Sequence, residues 1–293
     1  MEEITELETE GIPYIRVSGI PRLDIFKAFD CGQCFRFDRV YKFGNKYEFG
    51  GVALGRYVIF AQNNDREIII YNSTKQDYEA IWRSYLSLDW DYEKTDDAIS
   101  RLLNSEHMNK AIEVSRGIRI LRQDSWECIC SFIISQNNNI PRIKKIIYEM
   151  CKKYGECIEF FGEKHYTFPS AERLLLAGEE EIFALKTGFR AKYIYDASKS
   201  VAEGKISIEG IRNEADFEKC LQELCTVKGI GLKVASCALL FGFNKTEAFP
   251  IDVWMKRAIE KYFPQGLDYK SLGKSAGIAQ QYLFYYEKYI QNA

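Results

Sequence analysis

The sequence predicts an α+β protein, with an N-terminal antiparallel β-sheet domain carrying some helices over residues 1–110 and a mostly α-helical domain over residues 111–293. Three observations predict it. A chain of 293 residues suits two domains. Up to about residue 75, short runs rich in aromatic and β-branched residues alternate with Gly, Asn and Asp clusters, the pattern of strands joined by tight turns. From Lys75 onward apolar residues recur at three- and four-residue spacing, the period of a helix with one buried face. No repeat, low-complexity tract or Pro/Gly/Ser-rich linker marks the boundary, which is placed at the Asn104-Ser105-Glu106 junction.

Strands are expected at residues 14–17, 35–41, 47–53, 57–61 and 68–71, punctuated by Gly44-Asn45, Gly50-Gly51, Gly55 and Asn63-Asn64-Asp65. Helices are expected at residues 76–86, 125–135, 141–154, 191–203, 214–224, 232–241, 253–262 and 277–290. Asp124, Asn213 and Asp252 stand where N-caps belong, and Gly242 stands where a helix should stop.

Composition excludes several classes. With 46% hydrophobic and 28% charged residues the chain is neither disordered nor fibrous. Forty Lys plus Arg against 42 Asp plus Glu leave a net charge of -2, so any nucleic-acid binding must come from a local face. The longest uncharged apolar stretch, around residues 128–134, is far short of the roughly 20 residues a membrane-spanning helix needs. The N-terminus Met1-Glu2-Glu3 is acidic where a secretory signal is basic and then apolar, so a cytosolic or nuclear protein is expected.

Nine cysteines, an odd number scattered through apolar segments, read as reduced thiols. Cys31-Gly32-Gln33-Cys34 has the spacing of a redox pair or half a zinc site. Two histidines and no second Cys-x-x-Cys leave zinc short of ligands, and the strand-like Phe35-Arg36-Phe37 beyond it is the wrong setting for redox chemistry.

The most informative stretch runs from Leu224 to Cys237. Gly229-Ile230-Gly231 joins two helical patterns, and the N–H groups opening the second would form a small anion site for a phosphate; alternatively the glycines only turn the chain. Lys233 lies two residues after Gly231, and Asp252, which by itself reads as an N-cap, lies 19 residues beyond Lys233. That combination resembles the helix-hairpin-helix DNA glycosylase superfamily, in which the lysine is the nucleophile and the aspartate its electrostatic partner. Relatives that carry an iron–sulfur cluster have four cysteines after the aspartate, whereas the last cysteine here is Cys237. Alkylpurine glycosylases lack the lysine.

Within the superfamily the chain is most similar to 8-oxoguanine DNA glycosylase/lyases with an N-terminal β domain, over nearly its whole length. The segments that carry this are Cys31 to Arg36, Gln136 to Ile143, Gly188 to Tyr193 and Ala279 to Phe284. The resemblance implies that a flipped base lies between Phe284 and Cys237, that Gln280 reads its Watson–Crick edge, and that the backbone carbonyl of Gly32 faces N7. N7 carries a hydrogen in 8-oxoguanine and a lone pair in guanine, so a carbonyl there accepts from the lesion and opposes the normal base. It further implies that Asn137, Arg142 and Arg190 contact the estranged cytosine, that Phe189 fills the vacated stack, and that the Gly229 and Gly231 hairpin holds backbone phosphate. Phe284 also fits a packing stripe with Tyr282, Tyr285 and Tyr289, and Arg142 also begins a basic face with Lys144 and Lys145. One departure stands out: family members often have a phosphate-contacting histidine two residues after the aspartate, where this chain has Trp254.

The activity so implied is a bifunctional glycosylase/lyase acting on 8-oxoguanine opposite cytosine, as a monomer on double-stranded DNA, requiring no cofactor and no metal. The competing readings are a glycosylase/lyase of broader oxidised or alkylated purine specificity, and a non-catalytic helix-hairpin-helix DNA-binding module. The second would need neither Lys233 nor Asp252.

Overall fold

The computed structural model describes residues 2–291. Strands β1 (Glu3–Thr9), β2 (Ile12–Ser18), β3 (Phe37–Arg39), β4 (Tyr47–Ala53), β5 (Arg56–Gln62) and β6 (Glu67–Tyr71) form one sheet in the order β1-β2-β6-β5-β4-β3. The β1/β2, β2/β6 and β5/β6 pairs are antiparallel, with Ile4 opposite Val17 and Ile70 opposite both Ile15 and Phe60. Five of these strands fall on the aromatic and β-branched runs. The first does not, because Glu-Ile-Thr-Glu-Leu-Glu-Thr is a mostly exposed edge strand whose charges mask its alternation. The strand expected over residues 35–41 is confined to Phe37–Arg39.

The helices are α1 (Ile25–Asp30), α2 (Lys75–Asp77), α3 (Arg83–Tyr85), α4 (Tyr92–Leu103), α5 (Glu106–Ser115), α6 (Ser125–Ser135), α7 (Ile140–Tyr154), α8 (Ala171–Ile182), α9 (Arg190–Ala202), α10 (Ile208–Asn213), α11 (Phe217–Cys225), α12 (Leu232–Gly242), α13 (Val253–Tyr262) and α14 (Ala276–Tyr285). A hairpin, β7 (Cys157–Phe160) with β8 (Glu163–Tyr166), interrupts the helical run. Asp124 and Asp252 are N-caps, accepting from Glu127 N and Met255 N. Asn213 is not. It ends α10, and Asp216 caps α11 by accepting from the N–H groups of Glu218 and Lys219. Gly242 is the last residue of α12 rather than the stop after it; a Cβ there would come 2.8 Å from that of Cys128, so its smallness serves packing.

The chain folds into two compact units, one running to Gly50, resuming over Val58–Arg122 and taking up the chain again from Lys245. The other is Gln123–Asn244 with the hairpin tip Gly51–Tyr57. The first unit's core is aromatic: Phe29 lies 4.5 Å from Phe37 and 5.3 Å from Phe60 between ring centroids, and Phe60 meets Trp82 edge-on at 5.4 Å. Helix α14 buries every residue from Ala276 to Leu283 and packs on α5. In the second unit α6 and α12 pack together, each with nine of its eleven residues buried. Helices apolar all round lie at the centre of a bundle. Tyr57, on the hairpin tip, stacks on His165 at 3.6 Å.

Candidate active site

In the second unit the Gly-x-Gly turn links α11 to α12. Gly229 has φ +91°, and a Cβ on it would lie 2.1 Å from Cγ of Tyr193, so this position excludes every side chain. Gly231 has φ −91°, open to any residue, and caps α12 with no side chain of its own. The unsatisfied N–H groups of the first turn of α12 follow it directly. Lys233 sits in that turn, half-buried, its ammonium donating to Ser135 Oγ at 3.2 Å and lying 5.4 Å from the ring centroid of Phe132. Cys237 follows one helical turn later and is buried.

Three loops of this unit meet at Gln136, a residue the sequence reading gave no role. Its side-chain amide donates to the Gly229 carbonyl at 3.1 Å, and its own carbonyl accepts from Arg190 Nε at 2.8 Å and from Nη2. Arg190 also donates to the carbonyls of Asn137, at 2.9 Å, and Thr187, at 3.1 Å. Burial and the nearby Arg142 hold its guanidinium below the usual arginine range. Arg190 therefore spends its donors on backbone. Asn137 is exposed and left-handed at φ +46°, Phe189 is 54% exposed with Arg190 4.4 Å from its ring centroid, and Arg142 is exposed with one bond, from Nη2 to the Lys186 carbonyl at 3.2 Å. Exposed apolar area beside free polar groups is what a base-stack wedge requires.

In the first unit Asp252 caps α13, Oδ1 accepting from Met255 N at 2.9 Å. On α14, Gln280 is 5% exposed, and its Oε1 is buried with no hydrogen-bond partner among the described residues. Phe284, one turn on, is half-buried, with the Lys288 ammonium 5.1 Å from its ring centroid. Lys288 stands on a π-helical turn, Tyr286–Ile290, the kind of irregularity frequent at functional sites. Burial holds its amine below the usual lysine range, opposed by Asp252, Cys31 and Asp30. Gly32 takes φ +82° in the turn after α1. The Cys31 thiol beside it is pushed up to about 12 by burial and donates to the Ala28 carbonyl, so it is an inert thiol rather than a redox nucleophile. Trp254, two residues after Asp252, pairs its ring with the Arg257 guanidinium at 5.1 Å in a cation–π contact.

Besides Gln136 and Lys288, the sequence reading left Gln33 and Gln281 without roles, although both are buried. The available signal was their type: a glutamine inside an apolar helix such as Ala-Gly-Ile-Ala-Gln-Gln-Tyr-Leu-Phe-Tyr has to be bonded or waiting for a partner. All nine cysteines are free thiols, seven of them buried, with Cys157 exposed and Cys225 between. Among the described residues no group of three His, Cys, Asp or Glu side chains is disposed to hold a metal, and no helix is long and apolar enough to cross a membrane.

Residues 18–129 match the family described as 8-oxoguanine DNA glycosylase, N-terminal domain, and residues 130–270 match the HhH-GPD superfamily of base excision DNA repair proteins. A probable N-glycosylase/DNA lyase of Methanothermobacter thermautotrophicus is 31% identical over 211 residues, covering 62% of this chain and 67% of that protein. The solved complex of MBOgg1 with a low-affinity DNA ligand superposes with a TM-score of 0.90 at 35% identity, covering 99% of both chains. The 8-oxoguanine glycosylase/lyase of Clostridium acetobutylicum, bound to double-stranded DNA with cytosine opposite 8-oxoguanine, gives a TM-score of 0.87 at 33% identity over 97% of both chains.

Proposed function

The chain belongs to the 8-oxoguanine DNA glycosylase family of base excision repair proteins, and on that premise we propose that it excises 8-oxoguanine from duplex DNA and then cleaves the strand at the resulting site. The observation that carries the specificity is Gln280. Its buried Oε1, without a hydrogen-bond partner among the described residues, is an acceptor set aside from the fold's own hydrogen bonding, one helical turn from the aromatic face of Phe284. A purine Watson–Crick edge with N–H donors satisfies it. The Gly32 carbonyl supplies the second acceptor, matched to the N7 hydrogen that only the oxidised base carries, and Cys237 gives the flipped base an apolar neighbour.

Lys233 supplies the nucleophile. Its amine lone pair forms a bond to the sugar C1′ as the glycosidic bond breaks, the electron pair leaving with the base, while Asp252 stabilises the positive charge that develops on the sugar. A proton then passes from the attached nitrogen to O4′ as the C1′–O4′ bond breaks, and the nitrogen lone pair closes the C=N bond of a protonated Schiff base. Removal of a C2′ proton then expels the 3′ phosphate by β-elimination. No cofactor enters these steps, so chelation of metals should leave the rate unchanged. The open N–H groups after Gly231 take a backbone phosphate, Asn137 and Arg142 face the unpaired cytosine, and Phe189 occupies the vacated stack. The protein would act as a monomer, in the cytosol or nucleus where the DNA lies.

The test is excision from a duplex carrying one 8-oxoguanine, with borohydride present to trap the imine. Wild type should release the base and give a covalent protein–DNA product, and Lys233→Gln should do neither while still binding the duplex. Base release without trapping would show a water nucleophile, and release of alkylated purines with 8-oxoguanine ignored would overturn the substrate.

A further inference from the structure

We propose that Gln281 is a positioning residue that determines specificity for the oxidised base, by fixing the Cys31–Gly32 turn to the helix that carries Gln280; this rests on the base-recognition reading above. Gln281 is 2% exposed and its Nε2 donates to the Cys31 carbonyl at 3.3 Å. Gln33, on the other side of Gly32, is 1% exposed. It donates to the carbonyls of Ala28 and Arg119, both at 2.8 Å, and accepts from Leu121 N at 2.9 Å. Gly32, at φ +82°, is thus bracketed by two buried amides. Gln281 holds the peptide before it and Gln33 anchors the residue after it.

Guanine and 8-oxoguanine differ at N7 by one hydrogen. A carbonyl can tell them apart only while it points at that atom, since hydrogen bonds weaken steeply with small errors of distance and angle. A glycine left to itself would not hold that direction. Gln280 and Gln281 are consecutive residues of α14, so one helix places the acceptor for the Watson–Crick edge and the brace for the opposite edge. An apolar side chain would fill the position of Gln281 without the desolvation an amide incurs, so what the amide adds is direction.

The experiment measures dissociation constants for duplexes carrying 8-oxoguanine or guanine opposite cytosine, in a Lys233→Gln background, together with cleavage of a preformed abasic site by the variants with Lys233 intact. Gln281→Leu should reduce the preference for the lesion by about five- to tenfold, the scale of one hydrogen bond, while abasic-site cleavage stays within about twofold of wild type. Gln281→Glu adds a readout that packing alone would not move. Protonated, its carboxyl can donate to the Cys31 carbonyl; ionised, it cannot, so lesion preference should fall as pH rises while the parent's stays flat. An unchanged preference in Gln281→Leu, or equal losses of lesion preference and abasic-site cleavage, would overturn the role. If Gln281→Leu fails to fold, the pH series decides alone, a flat profile refuting the proposal. A wild type that excises no 8-oxoguanine sinks the parent reading as well, whereas a competent wild type with an indifferent Gln281 sinks only this one.

Discussion

The ring of Tyr193, on α9, fills the space in which a side chain on Gly229 would begin. The hairpin turn is thereby locked by a neighbour as well as by its own backbone angles. Gly229→Ala must accept both φ +91° and a contact at 2.1 Å, and should destabilise the protein by roughly 2–4 kcal/mol. Adding Tyr193→Ala should recover the steric part and leave the backbone part. Thermal melting of the two single variants and the double variant checks this, and strictly additive effects would show that the two residues do not interact.

Asp252 has a capping role the structure shows and a catalytic one proposed for it, and two substitutions separate them. Asparagine caps helices about as well as aspartate, so Asp252→Asn should melt close to wild type, whereas Asp252→Ala should lose about 1 kcal/mol. Both should slow single-turnover excision by roughly a hundredfold or more, because both remove the negative charge. Wild-type excision by folded Asp252→Asn would leave the residue only its cap.

Arg142 and Arg190 should behave differently although both were assigned to the undamaged strand. The Arg142 guanidinium makes one hydrogen bond among the described residues, so its remaining donors can meet cytosine O2 and N3. Arg142→Ala should relax the preference for cytosine over adenine opposite the lesion by about tenfold or more, read from single-turnover rates against each base. Arg190→Ala should chiefly cost stability, roughly 1–3 kcal/mol, by leaving the half-buried Gln136 carbonyl and the buried Thr187 carbonyl without this donor. An Arg190→Ala variant of undiminished stability would contradict that division.

Asp96 makes stability depend on pH. It accepts from Tyr282 at 3.0 Å, and burial raises its pKa from 3.8 to about 6. A carboxyl that is harder to ionise when folded binds more protons in the native state, so its contribution is greatest below 3.8 and falls as pH rises toward 6. Asp96→Asn keeps an acceptor for Tyr282 and removes the charge. It should raise stability above pH 6 by about 1–2 kcal/mol, after allowing for solvent screening, and flatten that part of the profile. Denaturant midpoints across the range will show whether the decline persists in the variant.

What could be read in the sequence follows from where the physics is local. Five of the six sheet strands, the helix around Lys233 and the Asp252 cap depend on side-chain period and on one or two neighbouring residues, and they fall within or over the expected segments. The α4 and α5 helices and the β7/β8 hairpin lie outside the expected elements; α4 and α5 do bury residues at helical spacing, Tyr92, Thr95 and Ile99 in one and Met108, Ala111, Ile112 and Ser115 in the other, but Thr, Ala and Ser among them are too small or polar to stand out as an apolar stripe. Asn213 misled because an N-cap preference is weak evidence when Asp216 offers the same chemistry three residues later. The roles of Gln33, Gln136 and Gln281 were invisible for another reason. Each bonds backbone tens or hundreds of residues away, and no local pattern encodes such a partner.

The first unit draws on widely separated stretches of chain, since α14 and Asp252 lie beyond Lys245 while the sheet is made of the earliest residues. During synthesis, Gln123–Asn244 is complete and able to pack before α14 emerges, whereas the Cys31–Gly32 turn must wait, with part of its surroundings missing, until Gln281 has been translated. Contacts of such sequence separation close slowly. Competence for lesion recognition should therefore arise after the lysine-bearing helices have folded, and a nascent chain stalled before α14 would be able to fold those helices while lacking the means to choose a base.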